Sequence, residues 1–222
     1  MTDPTDDVKT VAVIHGLGRG RGSMRLLAER LRREGFAPVL PDYASTQLSV
    51  EEAERDVLSQ IRAAVPEGDR LHLVGHSLGG VLALRLKVGA LSGRARRVVQ
   101  LGSPNGGSAL ASFANSVPVI GDVMGPATEQ IGEADLGPLT LAPDRQKDLG
   151  IIAGRAGWLP YTRQFGLDTE NDGKVTVESA LSVPHGDALV LDVGHMMLPL
   201  SSGAARQTIA FLRSGRFDRT PQ

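Results

Sequence analysis

The residues best suited to do chemistry in this chain lie in one short glycine-rich segment. Residues 75–79 read GHSLG and match the pattern G-x-S-x-G, and Gly80 extends it. The segment falls between an apolar run at residues 71–74 and a helical pattern that begins near Leu78. A serine on such a sharp strand-to-helix turn presents its hydroxyl as a nucleophile. We therefore predict that Ser77 is a nucleophile; the alternative is a glycine-rich turn that only connects two elements.

A nucleophilic serine needs hydrogen-bond donors for the negative charge that develops during its reaction. Leu78 opens the helix, where backbone N–H groups lack a partner within the helix. Leu17 lies in the loop HGLG at residues 15–18, directly after the first predicted strand. This loop matches neither G-x-G-x-x-G nor a phosphate-binding loop, because no register of the first is complete and no Gly-Lys pair follows. We predict structural roles for His15 and for His76, the latter in the wall of a substrate pocket.

The acid and the histidine that activate such a serine follow it in the chain, in that order. Of five histidines, only His185 and His195 lie late enough. We favour His195, since it follows the last predicted strand, whereas His185 lies in a Pro-His-Gly turn before it. We favour Asp172 as the acid, because residues 171–173 read NDG, a turn from which it can hold the histidine tautomer. The other acidic candidates are Asp168, Glu170, Asp187 and Asp192.

Strand and helix patterns alternate around these residues. Continuous apolar or β-branched runs predict strands at residues 8–14, 36–40, 71–74, 97–101, 149–153 and 188–193. Ser23 is the predicted cap of the first helix, and Ser49 with Glu52 has the spacing of a capping box for the second. Further helices are predicted at residues 81–88 and 204–212. The alternation predicts an α/β fold with a mostly parallel central sheet and helices on both faces.

The regular pattern fails between residues 104 and 143, where glycine, proline, serine and small apolar residues dominate. A structureless loop of that length is unusual in a compact domain, so we expect one or two short helices above the sheet. We predict that Phe113 and Met124 line an apolar pocket, with Trp158 in a second wall; the alternative is simple packing of a small cap. Residues 1–222 are thus expected to form one domain with a cap-like insertion at about 104–143.

Composition excludes several classes of protein. The chain has no cysteine, which removes disulfides, zinc–thiolate sites and thiol catalysis. Its formal net charge of -1 gives no reason to expect nucleic acid as a partner. No basic segment followed by an apolar stretch opens the chain, and no run approaches the roughly 20 apolar residues that span a bilayer. We expect a cytoplasmic protein without an integral membrane segment, with a trimmed secreted form as the alternative and the oligomeric state unknown.

Taken together, these segments resemble the small, lid-poor bacterial lipases and esterases of the α/β-hydrolase superfamily. The matching segments are VIHGLGR at 13–19, GHSLGG at 75–80, LGSPNGGS at 101–108, NDGKV at 171–175 and VGH at 193–195. The resemblance implies an α/β-hydrolase fold, no metal or organic cofactor, and the aspartate of the Asp-Gly-x-Val segment as the acid, which supports Asp172. Residues 104–143 match no lid of this group, so the resemblance does not define a substrate.

The hypothesis that follows is a hydrolase acting on a small-molecule ester or a lipid-like substrate. Ser77 attacks the acyl carbon and His195 takes its proton, while Asp172 orients the imidazole ring. The N–H groups of Leu17 and Leu78 hold the oxyanion, and water then hydrolyses an acyl-enzyme. An acyltransferase with the same residues and a non-catalytic binding module on the same fold are the alternatives. The presence of serine, acid and histidine argues against the binding module, but no residue separates hydrolysis from acyl transfer.

Overall fold

Six strands form a sheet in which each neighbouring pair is parallel, as the continuous apolar runs predict. The computed structural model describes residues 8–116, 125–157 and 167–220, apart from the side chains of residues 113–116. The strands are β1 (Thr10–Ile14), β2 (Ala37–Val39), β3 (Leu71–His76), β4 (Ala95–Leu101), β5 (Leu149–Gly154) and β6 (Asp187–Leu191).

The strand order is β2-β1-β3-β4-β5-β6. After β1 the chain leaves toward β2 on one side, and after β3 it leaves toward β4 on the other. The loops at the carboxyl ends of β1 and β3 therefore diverge, and such a switch point is where open α/β sheets bind ligands. The two glycine-rich segments at residues 15–18 and 75–80 both lie at this point.

Helices cover both faces of the sheet, which confirms the predicted fold class. They are α1 (Arg25–Arg33), α2 (Val50–Ala64), α3 (Leu78–Val88), α4 (Ala109–Ser116), α5 (Pro126–Glu133), α6 (Val177–Ala180) and α7 (Ser202–Ser214). Alternate residues of β1 enter two separate cores. Ala12 and Ile14 pack in the core that contains α2 and α3, whereas Val11 and Val13 pack in the core that contains α1 and α7.

The two predicted helix caps have different outcomes. The capping box is confirmed: the Glu52 N–H donates to Ser49 Oγ at 3.2 Å, and the Ser49 N–H donates to Glu52 Oε2 at 2.9 Å. The cap at Ser23 is wrong, because its hydroxyl donates to the Gly20 carbonyl oxygen at 2.8 Å within a short 3₁₀ helix, Arg21–Met24. The first α-helix therefore begins two residues after Ser23, with Met24 at its N-cap and fully buried.

Within the described part of residues 104–143, two short helices pack against each other, as expected. The Ser112 hydroxyl of α4 donates to the Gly132 carbonyl oxygen of α5 at 2.7 Å. The Ser108 N–H, just before α4, donates to the Ile131 carbonyl oxygen at 3.1 Å. Across the described residues, no helix is both long enough and apolar enough to cross a membrane.

Candidate active site

Ser77 occupies the turn between the last residue of β3 and the first residue of α3. Its backbone has φ 54° and ψ −126°. Among the described residues only Ala134 shares a positive φ without being a glycine. Such a conformation costs of order 1–3 kcal/mol for a residue with a Cβ and persists only where its surroundings impose it. The Ser77 N–H donates to the Leu101 carbonyl oxygen at 2.9 Å, so the end of β4 helps to hold the turn.

The glycines of this turn are required by close packing of backbones. A Cβ added at Gly75 would overlap the backbone of Gly79. One added at Gly79 would lie 2.7 Å from the carbonyl carbon of Ile14, at the end of β1. The start of α3 thus packs directly onto β1, which brings the loop after β1 beside the serine.

Gly16 marks the point where that loop meets Ser77. A Cβ at Gly16 would lie 3.0 Å from the Ser77 Cβ and 3.0 Å from the His76 carbonyl oxygen. The next residue, Leu17, lines the same cavity as Ser77. Within the described part of the chain, no acceptor is recorded for the N–H of Leu17 or of Leu78. The role of these two N–H groups as oxyanion donors stays a prediction.

His15 holds this loop in place through hydrogen bonds to Gly16 and Tyr43. Its Nδ1 lies 3.0 Å from the Gly16 carbonyl oxygen, and the Tyr43 N–H approaches its Nε2 at 3.3 Å. The Tyr43 hydroxyl donates to the His15 carbonyl oxygen at 2.9 Å, and the two rings stack. Burial lowers the pKa of His15, and the nearby Asp42 only partly opposes this effect. A neutral ring with its proton on Nδ1 satisfies the Gly16 and Tyr43 contacts, in agreement with the predicted structural role.

Asp172 and His195 form a buried pair. His195 Nδ1 lies 2.7 Å from Asp172 Oδ2, and the His195 N–H donates to the Asp172 carbonyl oxygen at 2.8 Å. The other carboxylate oxygen accepts from the N–H groups of Lys174 at 3.0 Å and Val175 at 2.8 Å. Both side chains are nearly inaccessible to solvent. Because every side of the carboxylate is engaged, its position is fixed, and it fixes the imidazole in turn.

Gly102 packs the end of β4 against this pair. It has φ +58°, and a Cβ there would lie 2.9 Å from Asp172 Oδ2 and 3.3 Å from His195 Nδ1. No sequence pattern predicts this role; the only signal is a glycine directly after an apolar strand. The same Cβ would lie 2.7 Å from Leu198 Cδ1, so a larger side chain at Gly102 would press on Leu198 as well as on the carboxylate and the imidazole.

His76 links the nucleophile turn to the loop that carries His195. Its Nε2 lies 3.0 Å from the His195 carbonyl oxygen. Burial, and to a lesser extent the proximity of His195, lower the pKa of His76 to about 3. A neutral ring that donates from Nε2 to this carbonyl leaves Nδ1 without a partner among the described residues. His76 lines the cavity, where the sequence predicted it.

One cavity of about 90 Å³ contains the central residues of this site. Ser77, His76 and His195 line it together. Its apolar wall comes from several elements and includes Leu17, Leu110, Ala111, Ile131 and Val175. No hydrogen bond between Ser77 Oγ and His195 is present in the described part of the chain. Catalytic hydrogen bonds are often long before substrate binds and shorten in the complex with substrate.

The structure places several other candidate residues outside this cavity. His185 Nδ1 contacts the Val183 carbonyl oxygen at 2.7 Å in its turn, and His185 does not line the described cavity. Three of the alternative acids pair with arginines that do not line the cavity: Asp187 with Arg219, and both Asp192 and Glu170 with Arg155. Three predicted pocket residues lie outside the described side chains, namely Phe113, Met124 and Trp158.

Two cations in the cavity wall lie in the family-matching segments but were not predicted as site residues. Arg19 and Lys174 both line it, although each lies in a loop with no charge pattern of its own. The described residues contain no group of three or more histidine, cysteine or acidic side chains arranged to hold a metal ion.

Comparison with known proteins places the chain in a family. Residues 11–213 match the sequence model of the Alpha/beta hydrolase family, so the chain belongs to that family. It is similar to a protein of Oryza sativa subsp. indica described as "Probable esterase PIR7A", with 37% identity over 92 residues. That match covers 37% of this chain and only 35% of the rice protein.

Solved structures share the fold at low sequence identity. The mature form of the Bacillus licheniformis lipase BlEst2 has 18% identity and a TM-score of 0.73, covering 95% of this chain and 92% of that one. A metagenomic carboxyl esterase has 21% identity and a TM-score of 0.67, covering 87% of this chain and 66% of that one. At these identities the likeness establishes the α/β-hydrolase fold.

Proposed function

We propose that this protein hydrolyses carboxylic esters, with Ser77 as nucleophile, His195 as general base and Asp172 as the residue that orients the base. The observation that carries the proposal is the 2.7 Å contact between His195 Nδ1 and Asp172 Oδ2 beside a cavity that Ser77 also lines. A histidine whose Nδ1–H is held by a buried carboxylate presents its unprotonated Nε2 as the base. The positive φ of Ser77 and the apolar cavity wall add independent support.

In the first half of the reaction, Ser77 Oγ bonds to the acyl carbon while His195 Nε2 takes the hydroxyl proton. The N–H groups of Leu17 and Leu78 donate to the oxyanion of the tetrahedral intermediate. When this intermediate collapses, the bond to the alcohol oxygen breaks, and the departing alcohol takes the proton from His195. The acyl group then remains on Ser77 as an ester.

In the second half, water replaces the alcohol. His195 Nε2 takes a proton from water as its oxygen bonds to the acyl carbon, and the same two N–H groups hold the second oxyanion. Collapse releases the carboxylic acid and returns the proton to Ser77 Oγ. Throughout, Asp172 accepts from His195 Nδ1–H and stabilises the imidazolium, without itself taking the proton.

The names of similar proteins agree with ester chemistry. The rice relative is described as a probable esterase, and structural neighbours are described as a lipase and a carboxyl esterase. No feature of the described residues favours acyl transfer over hydrolysis. The apolar wall fits an acyl chain, which is the chemical group that such a cavity must hold.

The test is covalent labelling combined with turnover. Wild-type protein should hydrolyse p-nitrophenyl butyrate and take up one fluorophosphonate on Ser77, located by peptide mass spectrometry. Ser77→Ala should lose both label and turnover, the latter by roughly 10⁴-fold or more. Ser103→Ala is the matched control, because Ser103 is fully buried and lies outside the cavity lining. Label on another serine, or turnover retained by Ser77→Ala, would falsify the proposal.

A further inference from the structure

The charged residues in the wall of the candidate active-site cavity are both cations. Arg19 and Lys174 line it, and its described lining includes no aspartate or glutamate. The chain as a whole has 24 lysines and arginines against 25 acidic residues, so this positive charge is a local property of the site. An apolar cavity bearing only positive charge favours a ligand that has both an apolar part and an anionic group.

The backbone of Lys174 is fixed, but its ammonium group has no counterion among the described residues. Its N–H donates to Asp172 Oδ1, which fixes its backbone two residues beyond the acid. That carboxylate is already occupied by His195 Nδ1 and by two backbone N–H groups. Among the described residues, no carboxylate forms an ion pair with the Lys174 ammonium. Burial lowers the pKa of Lys174, the charge of Arg19 lowers it further, and Asp172 only partly compensates.

Arg19 approaches the same space from the loop after β1. Its Nη2 lies 3.3 Å from the sulfur of Met196, the residue that follows His195. Several cations elsewhere in the described chain have acidic partners, as Arg155 does with Asp192, whereas no ion pair joins Arg19 or Lys174 to a described carboxylate. The two cations line one cavity, and the charge of Arg19 lowers the pKa of Lys174, so a bound anion would offset their mutual repulsion.

We propose that the substrates are esters whose alcohol part carries an anionic group, a carboxylate or a phosphate, which binds to Arg19 and Lys174. The inference rests on the proposed ester hydrolysis. The alcohol side is assigned because His195 returns its proton to the leaving alcohol, and Arg19 contacts the residue next to His195. The acyl chain then lies against the apolar wall that includes Leu110, Ala111 and Ile131.

The experiment compares esters that differ in one charge. The carboxylate pair is the butyrate ester of 3-hydroxybenzoate against that of its neutral methyl ester. The phosphate pair is butyryl glycerol 3-phosphate against monobutyrin. A third pair moves the charge to the acyl side, p-nitrophenyl glutarate monoester against p-nitrophenyl pentanoate. For each pair the readout is the ratio of kcat/KM for the anionic ester to kcat/KM for the neutral ester.

In wild-type protein the ratio should exceed one for at least one alcohol-side pair. Lys174→Met should lower that ratio about tenfold, mainly through KM, because it keeps the aliphatic stem and removes the charge. Arg19→Gln should lower it about threefold, since Arg19 is the more exposed. Lys174→Arg should retain the preference, and added salt should weaken it. Arg62→Gln, an exposed site on α2, makes the same change in net charge and should alter no ratio.

The outcomes distinguish this inference from the function on which it rests. If wild-type protein hydrolyses no ester in any pair and takes up no fluorophosphonate, ester hydrolysis itself is wrong. If neutral esters are hydrolysed but the alcohol-side ratios are the same in wild type, Lys174→Met and Arg19→Gln, only the anion site is wrong. A preference confined to the acyl-side pair would also overturn the assignment. Preference in the phosphate pair alone, lost in both variants, would support the proposal and identify phosphate as the group bound.

Discussion

His76 and His195 are joined across the site, with His76 Nε2 3.0 Å from the backbone oxygen of His195 and the ring centroids 4.7 Å apart. This contact connects the residue before Ser77 to the loop that holds the proposed base. His76 touches no reacting atom in the proposed mechanism, so its role is to position His195.

We predict that His76→Ala lowers kcat by roughly 10- to 100-fold with a small change in KM, because the loop that carries His195 loses its link to the nucleophile turn. His76→Gln should restore most of the rate, since its side-chain amide can donate to the same carbonyl. The measurement is steady-state kinetics on p-nitrophenyl butyrate, with circular dichroism to verify folding. Equal losses in both variants would assign His76 to packing alone.

The same histidine should make folding sensitive to acid. Its pKa is lowered to about 3 in the folded protein, whereas a histidine in an unfolded chain titrates near about 6.5. Between these values the unfolded chain binds a proton that the folded protein does not, so stability falls as pH decreases. The contribution is at most about 1.4 kcal/mol per pH unit.

Urea unfolding of wild type and His76→Gln between about pH 7 and about pH 4 tests this linkage. The variant should lose stability less steeply with acid. The burial of His15 also lowers its pKa, so some acid sensitivity should remain. His185→Gln, at a turn outside the cavity, is the control and should show the wild-type slope. Identical slopes for wild type and His76→Gln would contradict the prediction.

The choice between the two late histidines can be made by kinetics. His195→Ala should lower kcat by several orders of magnitude, and Asp172→Asn should lower it by roughly 10⁴-fold because the wrong imidazole tautomer is then favoured. His185→Ala should stay within about twofold of wild type, since exposed turns away from a site tolerate truncation. A large loss in His185→Ala with turnover retained in His195→Ala would reverse the assignment.

Gly102→Ala should reduce turnover about 100-fold, because its Cβ would press on the Asp172 carboxylate and the His195 ring. The substitution also places alanine at a positive φ, which strains the backbone. Gly68→Ala is the matched control: Gly68 has φ +93° and open space around its missing Cβ, so it adds the strain alone. If the two variants lose turnover equally, the contact with the acid–histidine pair is unimportant.

The size of the cavity predicts a preference for short or medium acyl chains. Ala111→Leu should shift the optimum in a p-nitrophenyl ester series toward shorter chains, because Ala111 lines the cavity.

The rate of hydrolysis, measured against triglyceride concentration, should show no sharp increase at the solubility limit. Such an increase would overturn the idea of a small cap. Phe113→Ala and Met124→Ala stay useful tests, since an unchanged chain-length preference would assign both residues to packing.

Much of the fold follows from local sequence, and the exceptions have physical causes. The inner strands β1, β3, β4 and β5 are mostly buried and largely apolar, which made them predictable. The less buried edge strands β2 and β6 were predicted from short apolar runs. Helix α3 was harder to delimit, because residues 78–87 are buried on every side and show no amphipathic pattern. Its apolar run was assigned to residues 81–88, while the glycine-rich motif placed the start of the helix near Leu78, where the structure has it.

The residues of the candidate site also differ in how far the sequence predicts them. Ser77 lies within a local motif, so its type and spacing identify it. Gly102, Arg19 and Lys174 lie in the family-matching segments, but their spatial neighbours are distant in the chain, and no pattern in those segments predicts these contacts. Contacts of this kind exist only after the sheet has formed.

The strand order has a consequence for how the protein folds. The proposed site takes Leu17 from beyond β1, Ser77 from beyond β3, Asp172 from beyond β5 and His195 from beyond β6. Parallel pairing of strands so far apart in sequence closes long loops, which is slow compared with helix formation. Reactivity toward a fluorophosphonate should therefore appear late during refolding, after most of the helical circular dichroism signal has returned. The rate at which Ser77 becomes reactive therefore measures when the pairing of all these strands is complete.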